Sequence, residues 1–314
     1  AQLRLMAEEL GWSRLAAAMD AMRVNAAACV SESLRGETGG KAVMVMDDGG
    51  EIHVRIEITE QGRGTIDFSG TSSQRSGNTN APRAVTRAAV LYVLRCLVND
   101  DIPLNDGCFE PVELIIPEGS MLSPRPGAAV VGGNVETSQA IVDCLLAAFA
   151  RQAASQGTMN NLTFGDGTRQ YYETICGGAG AGVDFDGASA VHTHMTNSLL
   201  TDPEVLEARY PVRLEQFGFR IESGGAGEHR GGDGVIRVIR FMDSMQVSLL
   251  SNRRRAGAPG LSGGQAGLPG RQWLVFADGS RSRLDGCFSL HAAPDDVLHI
   301  ETPGGGGWGQ AGRM

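Results

Sequence analysis

Four segments of the chain gather side chains able to do chemistry. The first, Ala154-Ser155-Gln156-Gly157-Thr158-Met159-Asn160-Asn161, crowds hydroxyl and carboxamide groups around one glycine. Such a loop can aim backbone N–H groups and amide donors at a carbonyl or an oxyanion; it can equally be a polar turn. The second, Val191 to Asn197, carries His192 and His194. On a strand these imidazoles would share a face about 7 Å apart, which suits a transition-metal ion or acid–base work near neutral pH. A metal would need further ligands, and Glu173, Asp184 and Asp186 are candidates without a diagnostic spacing. A polar pair at a loop or an interface is the plainer alternative. The third segment, Gly132-Gly133-Asn134-Val135-Glu136-Thr137-Ser138-Gln139, leads into an apolar-periodic stretch. Free N–H groups at a helix start make an anion site, but the Lys-Ser/Thr pair of a phosphate loop is absent. The fourth is a set of glycine clusters at 177–182, 224–227, 231–234 and 304–307. They allow positive φ and close backbone approach, either lining a pocket or filling tight corners.

The elements that must position these segments change character along the chain. Residues 2–35 read as helical, with Leu15, Met19, Met22, Ala26 and Cys29 at helical spacing as a core row and Ser13 as a possible cap after Gly11. A strand over 42–46, the turn Asp47-Asp48-Gly49-Gly50, and alternation of Ile52, Val54, Ile56 and Ile58 with polar residues predict a hairpin with one buried face. His53 falls on its solvated side. A further strand follows at 65–68, then a polar loop over 69–81. Pro82 opens a helix that ends at Asn99-Asp100-Asp101, and 112–116 is a strand. Ile141, Val142, Leu145, Leu146 and Phe149 form the stripe of another helix, capped by Asn134 or Thr137. After about residue 155 helical periodicity disappears. Strands are expected within 171–175, 191–196, 212–221, 235–242, 247–250, 273–276 and 297–300. The fold class is therefore α+β, with helices and a strand hairpin in the N-terminal half (1–154) and a glycine-rich, mainly β C-terminal half (155–314).

With 314 residues, 42 % of them hydrophobic, the chain can bury a substantial core. Its 27 basic and 36 acidic residues give a net charge of −9, and the single basic cluster, Arg253-Arg254-Arg255, is too short for a nucleic-acid footprint; it reads as a solvated turn or a local ion-pair site. No apolar run approaches the roughly 20 residues of a membrane span, and no signal-peptide pattern opens the chain. Six cysteines without C-x-x-C pairing read as reduced thiols, with Cys96 and Cys144 buried in helical patterns. A cytoplasmic enzyme without nucleic-acid or membrane partners is the expectation, and the Asn161-Leu162-Thr163 acceptor pattern carries little weight without a secretion signal. Glycine, at 44 residues, is about twice the average usage of roughly 7 %. Ala1 stands inside an apolar-periodic segment without a cap, so the chain is expected to be cut from a longer reading frame or processed.

The order of these segments resembles one family. ASQGTMNN, YYETICGGAGAG, GASAVHTHMTN, TDPEVLEARYPVRLEQFGFRIESGGAGEHRGGDG, LLSNRRR and ETPGGGGWG follow the pattern of the hydantoinase B/oxoprolinase family over about residues 40–309, as do DFSGTSSQRSGNTNAPRAVTRAAVLYVLRC and GGNVETSQAIVD. The run from Tyr172 to Gly182 and HTHMTN are most similar to its 5-oxoprolinase branch. The resemblance implies ATP-dependent opening of a cyclic amide, or carboxylation of a ketone in one branch. An A-type ATPase subunit or domain would phosphorylate the carbonyl oxygen, and a B-type unit using a divalent metal (manganese, magnesium or zinc) would hydrolyse the activated lactam. Phosphorylation makes the amide oxygen a leaving group, and metal-bound water attacks at neutral pH. The resemblance places the B-type metal motifs in an N-terminal half that nothing here matches, so metal and ATP are expected to bind mainly outside this chain, with the A-type unit and that N-terminal half as partners in an oligomer. Motif chemistry and resemblance together make His192, His194, Asn160 and Asn161 the candidate catalytic residues, with Glu173, Asn197, Asn134 and Glu136 binding the substrate; no metal ligand is assigned. The alternatives are a hydantoinase or acetone-carboxylase-like subunit and a non-catalytic scaffold chain.

Overall fold

A computed structural model describes residues 1–98 and 100–312. Two helices open the chain, α1 (Gln2–Leu10) and α2 (Trp12–Leu34), separated at Gly11, whose φ of 79° breaks the helix. Ser13 lies inside α2 and caps nothing. The buried stripe of α2 is Ala26, Val30 and Leu34, with Leu15 further up, while Met19 and Met22 are exposed. The expected methionine row is therefore not core here, although its spacing was helical.

The predicted hairpin forms: β1 (Lys41–Val45) pairs antiparallel with β2 (Glu51–Ile58), placing Ile52, Val54 and Ile56 in the core. β3 (Gly64–Asp67) pairs antiparallel with β2 and parallel with β4 (Val112–Ile115). Helices α3 (Arg83–Leu97) and α4 (Ser138–Ala148) join this sheet in one apolar core that includes Ile66, Phe68, Val90, Leu94, Ile141 and Leu145. The predicted end of α3 falls partly on Asn99, outside the described residues; the helix stops at Leu97. Cys144 is buried, but Cys96 is exposed on α3, contrary to its sequence pattern. Neither Asn134 nor Thr137 caps α4. A π-helical turn over Gly133–Thr137 runs straight into it, and the Thr137 hydroxyl donates instead to the Thr79 carbonyl.

The second half is two antiparallel sheets face to face. One runs in the order β11 (Arg281–Arg283), β10 (Arg271–Val275), β13 (Val297–Glu301), β8 (Gly234–Phe241), β7 (Val212–Arg220). The other runs β12 (Cys287–Ala292), β9 (Met245–Leu250), β5 (Asn161–Gly165), β6 (Gln170–Glu173). Their inner faces supply a second core of Leu162, Phe164, Val247, Leu249, Val235, Phe241 and Leu298. A helix interrupts the β region, α5 (Pro203–Arg209), where Asp202 accepts from the Glu204 and Val205 N–H groups and Pro203 sets the first turn. That Asp-Pro start is a legible capping signal in a stretch too short to show periodicity. The strand expected over 191–196 does not form: Val191 makes one isolated bridge to Gly177, and the chain then turns at His194, whose φ is 50°.

The glycine clusters do something other than supply positive φ. None of the glycines in 177–182, 224–227, 231–234 or 304–307 adopts it. Instead Gly304–Gly307, a segment outside the strands, runs through the centre of a backbone bundle. A Cβ on Gly304 would collide with the Ser223 carbonyl, on Gly305 with Ala179, on Gly306 with Pro259 and on Gly307 with Ala226. Gly304 and Gly307, three residues apart, face the same neighbouring segment, 223–226. Hydrogen bonds radiate accordingly: Gly305 N–H donates to Gly232, Gly306 to Ala154 and Gly307 to Gln265. No described helix is long and apolar enough to cross a membrane.

Candidate functional site

Beyond its first residue, Ser138, helix α4 is apolar except for Gln139 and Asp143, which continue a stripe begun by Glu136 in the π turn before it, all buried. Three- and four-residue spacing places them on one side, and each reaches across to the second half. Glu136 Oε1 accepts from Asn161 Nδ2 at 2.8 Å and from the Met159 N–H at 3.2 Å. Gln139 Nε2 donates to the Thr193 carbonyl and to the Thr196 hydroxyl. Asp143 Oδ1 accepts from the Ser155 N–H at 2.9 Å and meets His194 Nε2 at 3.2 Å, while Oδ2 lies 3.4 Å from Arg253. The stripe is thus a polar seam joining two apolar cores.

The arginine triplet completes it. Arg253 is 4 % exposed and pairs with Asp143, so the solvated-turn alternative fails and the ion-pair alternative holds there. Its close approach requires Gly157, where a Cβ would sit 2.7 Å from Arg253 Nε and φ is +65°. Arg254 donates to Asn160 Oδ1 (2.6 Å), Gln272 Oε1 (2.7 Å) and the Asn252 carbonyl (2.7 Å). Asp47, in the β1–β2 turn, accepts from the Arg254 and Arg255 N–H groups and donates its own to Asn252.

The sequence-predicted residues fall into four groups. Asn160, Asn161 and Glu136 come together, and His194 joins the same seam through Asp143. Asn160 commits its amide hydrogens to Gln156 Oε1 and the Ile175 carbonyl; Asn161 commits its own to Glu136 and the Leu250 carbonyl and accepts from the Tyr172 hydroxyl. Glu173, next to this group in the sheet, turns the other way: both its oxygens accept from Arg237 (2.6 and 2.9 Å), and Tyr171 donates to it. Asn134 and Asn197 are exposed. His192 and His194 do not present a shared strand face. His194 is enclosed by Asp143 and by the Tyr92 ring and hydroxyl, whereas His192 is half-buried with an unpartnered Nδ1. Sequence reasoning missed Asp143, Gln139 and Tyr92; the legible signal was a lone carboxylate and a lone amide inside an otherwise apolar helix.

Electrostatically, Glu136 stands out. Burial pushes its carboxyl up to about 8, against the opposing pull of the Thr158 hydroxyl, the Met159 N–H, Arg254 and Asn161. Its Oε2 is buried without a partner. Burial lowers Arg254 to about 10, and lowers His192 below the usual imidazole range. Among the described residues no three His, Cys, Asp or Glu side chains gather as a metal site; the residues present do not fit a divalent ion.

The sequence profile described as hydantoinase B/oxoprolinase matches residues 1–311. The chain belongs to the hydantoinase B/oxoprolinase family. Among curated relatives it is 49 % identical to 5-oxoprolinase 1 of Arabidopsis thaliana over 324 residues, covering 98 % of this chain and 26 % of that protein. Among solved structures, the ATP-dependent caprolactamase from Pseudomonas jessenii superimposes with a TM-score of 0.83 at 20 % identity, over 98 % of this chain and 58 % of that one. A nucleotide-free acetone carboxylase superimposes with a TM-score of 0.82 at 16 % identity, over 98 % and 50 %. At those identities the two structures establish the shared α+β fold of this hydantoinase B/oxoprolinase chain. The chain spans about a quarter of the length of the curated relative.

Proposed function

We propose that this chain is the C-terminal part of the B-type unit of an ATP-dependent cyclic-amide hydrolase of 5-oxoprolinase type, acting on a phosphorylated lactam such as 5-oxoproline to release the open-chain amino acid. The observation that carries this is 49 % identity across 98 % of the chain to a protein named 5-oxoprolinase. Residues 1–154 and 155–314 act as two parts of one unit. ATP and a divalent cation (manganese, magnesium or zinc) are held mainly outside this chain, by an A-type ATPase subunit or domain and the N-terminal half of the B-type unit, in a cytoplasmic oligomer.

Within this reading the seam is a rigid frame. Glu136 holds Asn161, while Gln156, Ile175 and Arg254 hold Asn160, and His194, fixed by Asp143, sets the turn that carries His192 and Asn197. His192 and Glu136 are the members of the set with unspent hydrogen-bonding capacity, each keeping one buried atom (Nδ1 and Oε2) without a partner. Asn134 offers exposed amide chemistry beside the π turn, and Glu173 fixes β6 through Arg237. The fold shared with caprolactamase and acetone carboxylase supports a second reading, a hydantoinase or acetone-carboxylase-like subunit. The internal commitment of Asn160, Asn161 and Glu173 supports a scaffold role.

The test is phosphate release by the complete assembly containing this chain, with 5-oxoproline, hydantoin and acetone plus bicarbonate as substrates and ATP present. Release dependent on 5-oxoproline, lowered at least 10-fold by His192→Ala with unchanged thermal midpoint, supports the first reading. Turnover of hydantoin or acetone alone supports the second. Full activity of the His192→Ala, His194→Ala double variant removes the histidines from the mechanism.

A further inference from the structure

Residues 1–25, which comprise α1 and the first half of α2, form an arm with little of the chain around it. Only Ala7 and Leu15 among them are buried. α1 packs on α2, and α2 joins the body through its later turns, where Ala26, Val30 and Leu34 enter the first core and Gly107 closes on the Arg23 carbonyl. The arm's three arginines and three carboxylates balance, so charge selects no partner. What the arm presents is apolar. Trp12 is 68 % exposed, and Met19, Met22 and Val24 on α2 and Leu3 and Leu5 on α1 are exposed with it. Single apolar residues scattered over a surface are ordinary, whereas a concentration of them marks a contact site.

The angular spread of these residues says what kind of contact. Successive helical positions lie about 100° apart, so Met22 and Val24 point to opposite sides of α2, as do Leu3 and Leu5 on α1. Pairing with a second copy through a helix seam uses one stripe, and a helix lying on a membrane surface keeps its other face polar. Apolar side chains on opposite sides mark a helix that is enclosed. Enclosure needs a substantial partner, and the two superimposable structures show its scale. This fold occupies 58 % of the caprolactamase chain and 50 % of the acetone carboxylase chain. Each of those polypeptides therefore carries about two-fifths to a half of its length beyond the fold.

We propose that the arm is the docking element for the N-terminal half of the B-type unit, which closes on both sides of α2 and makes the arm part of a joint core. The proposal rests on the reading of this chain as the C-terminal part of such a unit, and it assigns the contact to residues 1–25.

The experiment is site-specific photo-crosslinking in the complete assembly, with Met22→p-benzoylphenylalanine in one variant and Val24→p-benzoylphenylalanine in another, and the joined peptides identified by mass spectrometry. The expected result is that both positions, on opposite sides of the helix, crosslink to the N-terminal half of the B-type unit. Crosslinks from either position to residues 1–25 of a second copy or to the ATPase overturn the proposal, as does the absence of any crosslink. If a variant fails to assemble, hydrogen exchange on the unaltered assembly decides: the amides of residues 14–24 should exchange within about 10-fold of those of the buried helix α4, and faster exchange overturns the proposal. Crosslinks to the B-type N-terminal half in an assembly that does not turn over 5-oxoproline would overturn the assigned reaction and leave this interface standing. Turnover of 5-oxoproline with crosslinks to a second copy would do the opposite.

Discussion

Replacing Glu136 with glutamine isolates the effect of one buried acid on the pH dependence of stability. Glutamine keeps the Oε1 that accepts from Asn161 and Met159, and it puts hydrogens where the unpartnered Oε2 stands. Burial raises the folded-state pKa from 4.5 to about 8. For a raised folded pKa the contribution to stability is complete below the unfolded value, near 4.5, and is lost as pH rises through about 8, because the unfolded chain ionises first. Each unit of difference is worth about 1.4 kcal/mol. Between pH 5 and pH 8 the native protein should therefore lose roughly 3 kcal/mol that the Glu136→Gln variant keeps. The assay is urea unfolding followed by circular dichroism at pH 5, 6, 7 and 8 for both proteins, with free energies from linear extrapolation. The variant should gain on the native protein steadily with pH. Two parallel profiles would mean that Glu136 is ionised throughout, and the argument from its burial and bare oxygen would be wrong.

Other consequences follow from the same contacts. Asp143→Ala leaves Arg253 buried without its carboxylate and releases His194 and the Ser155 N–H; the expected loss is about 3–5 kcal/mol, measured by chemical unfolding, and clearly larger than for His194→Ala. Breaking the enclosed Glu173–Arg237 pair with Glu173→Ala should cost a similar amount, about 3–5 kcal/mol, whereas replacing both partners by apolar residues of matched volume should recover most of it; a double-mutant cycle checks this. Gly305→Ala drives a methyl group into the Ala179 carbonyl and should prevent folding or lower the thermal midpoint by well over 10 °C, while Gly77→Ala, with nothing within 4 Å of the new atom, should stay within about 0.5 kcal/mol of the parent.

The sequence alone determined the features that depend on local periodicity. The β1–β2 hairpin was legible because its turn residues and its alternation of Ile52, Val54 and Ile56 agree. Helix α4 was legible because Ile141, Val142, Leu145 and Leu146 repeat at helical spacing, and the α+β class followed from the change of period near residue 155. The order of motifs gave the family before any coordinates. What only the tertiary structure decided involves partners distant in sequence. Met19 and Met22 have the spacing of a core row, but in the fold both are exposed. His192 and His194 have strand spacing, but a positive φ at His194 turns the second imidazole onto Asp143, 51 residues away. Of the two readings of the glycine clusters, positive φ fails and close backbone approach holds: at 304–307 they admit carbonyl groups from three other segments, and which segments these are no local pattern encodes. The candidate site follows the same division. Asn160, Asn161 and Glu136 were visible as polar groups in an unusual setting, but the Glu136–Asn161 bond, the Arg254–Asn160 bond and the Arg253–Asp143 pair join segments 25, 94 and 110 residues apart that meet across the boundary between two cores. Local pattern fixes which face of an element is apolar; only the packed chain fixes which polar groups the remaining faces bring together.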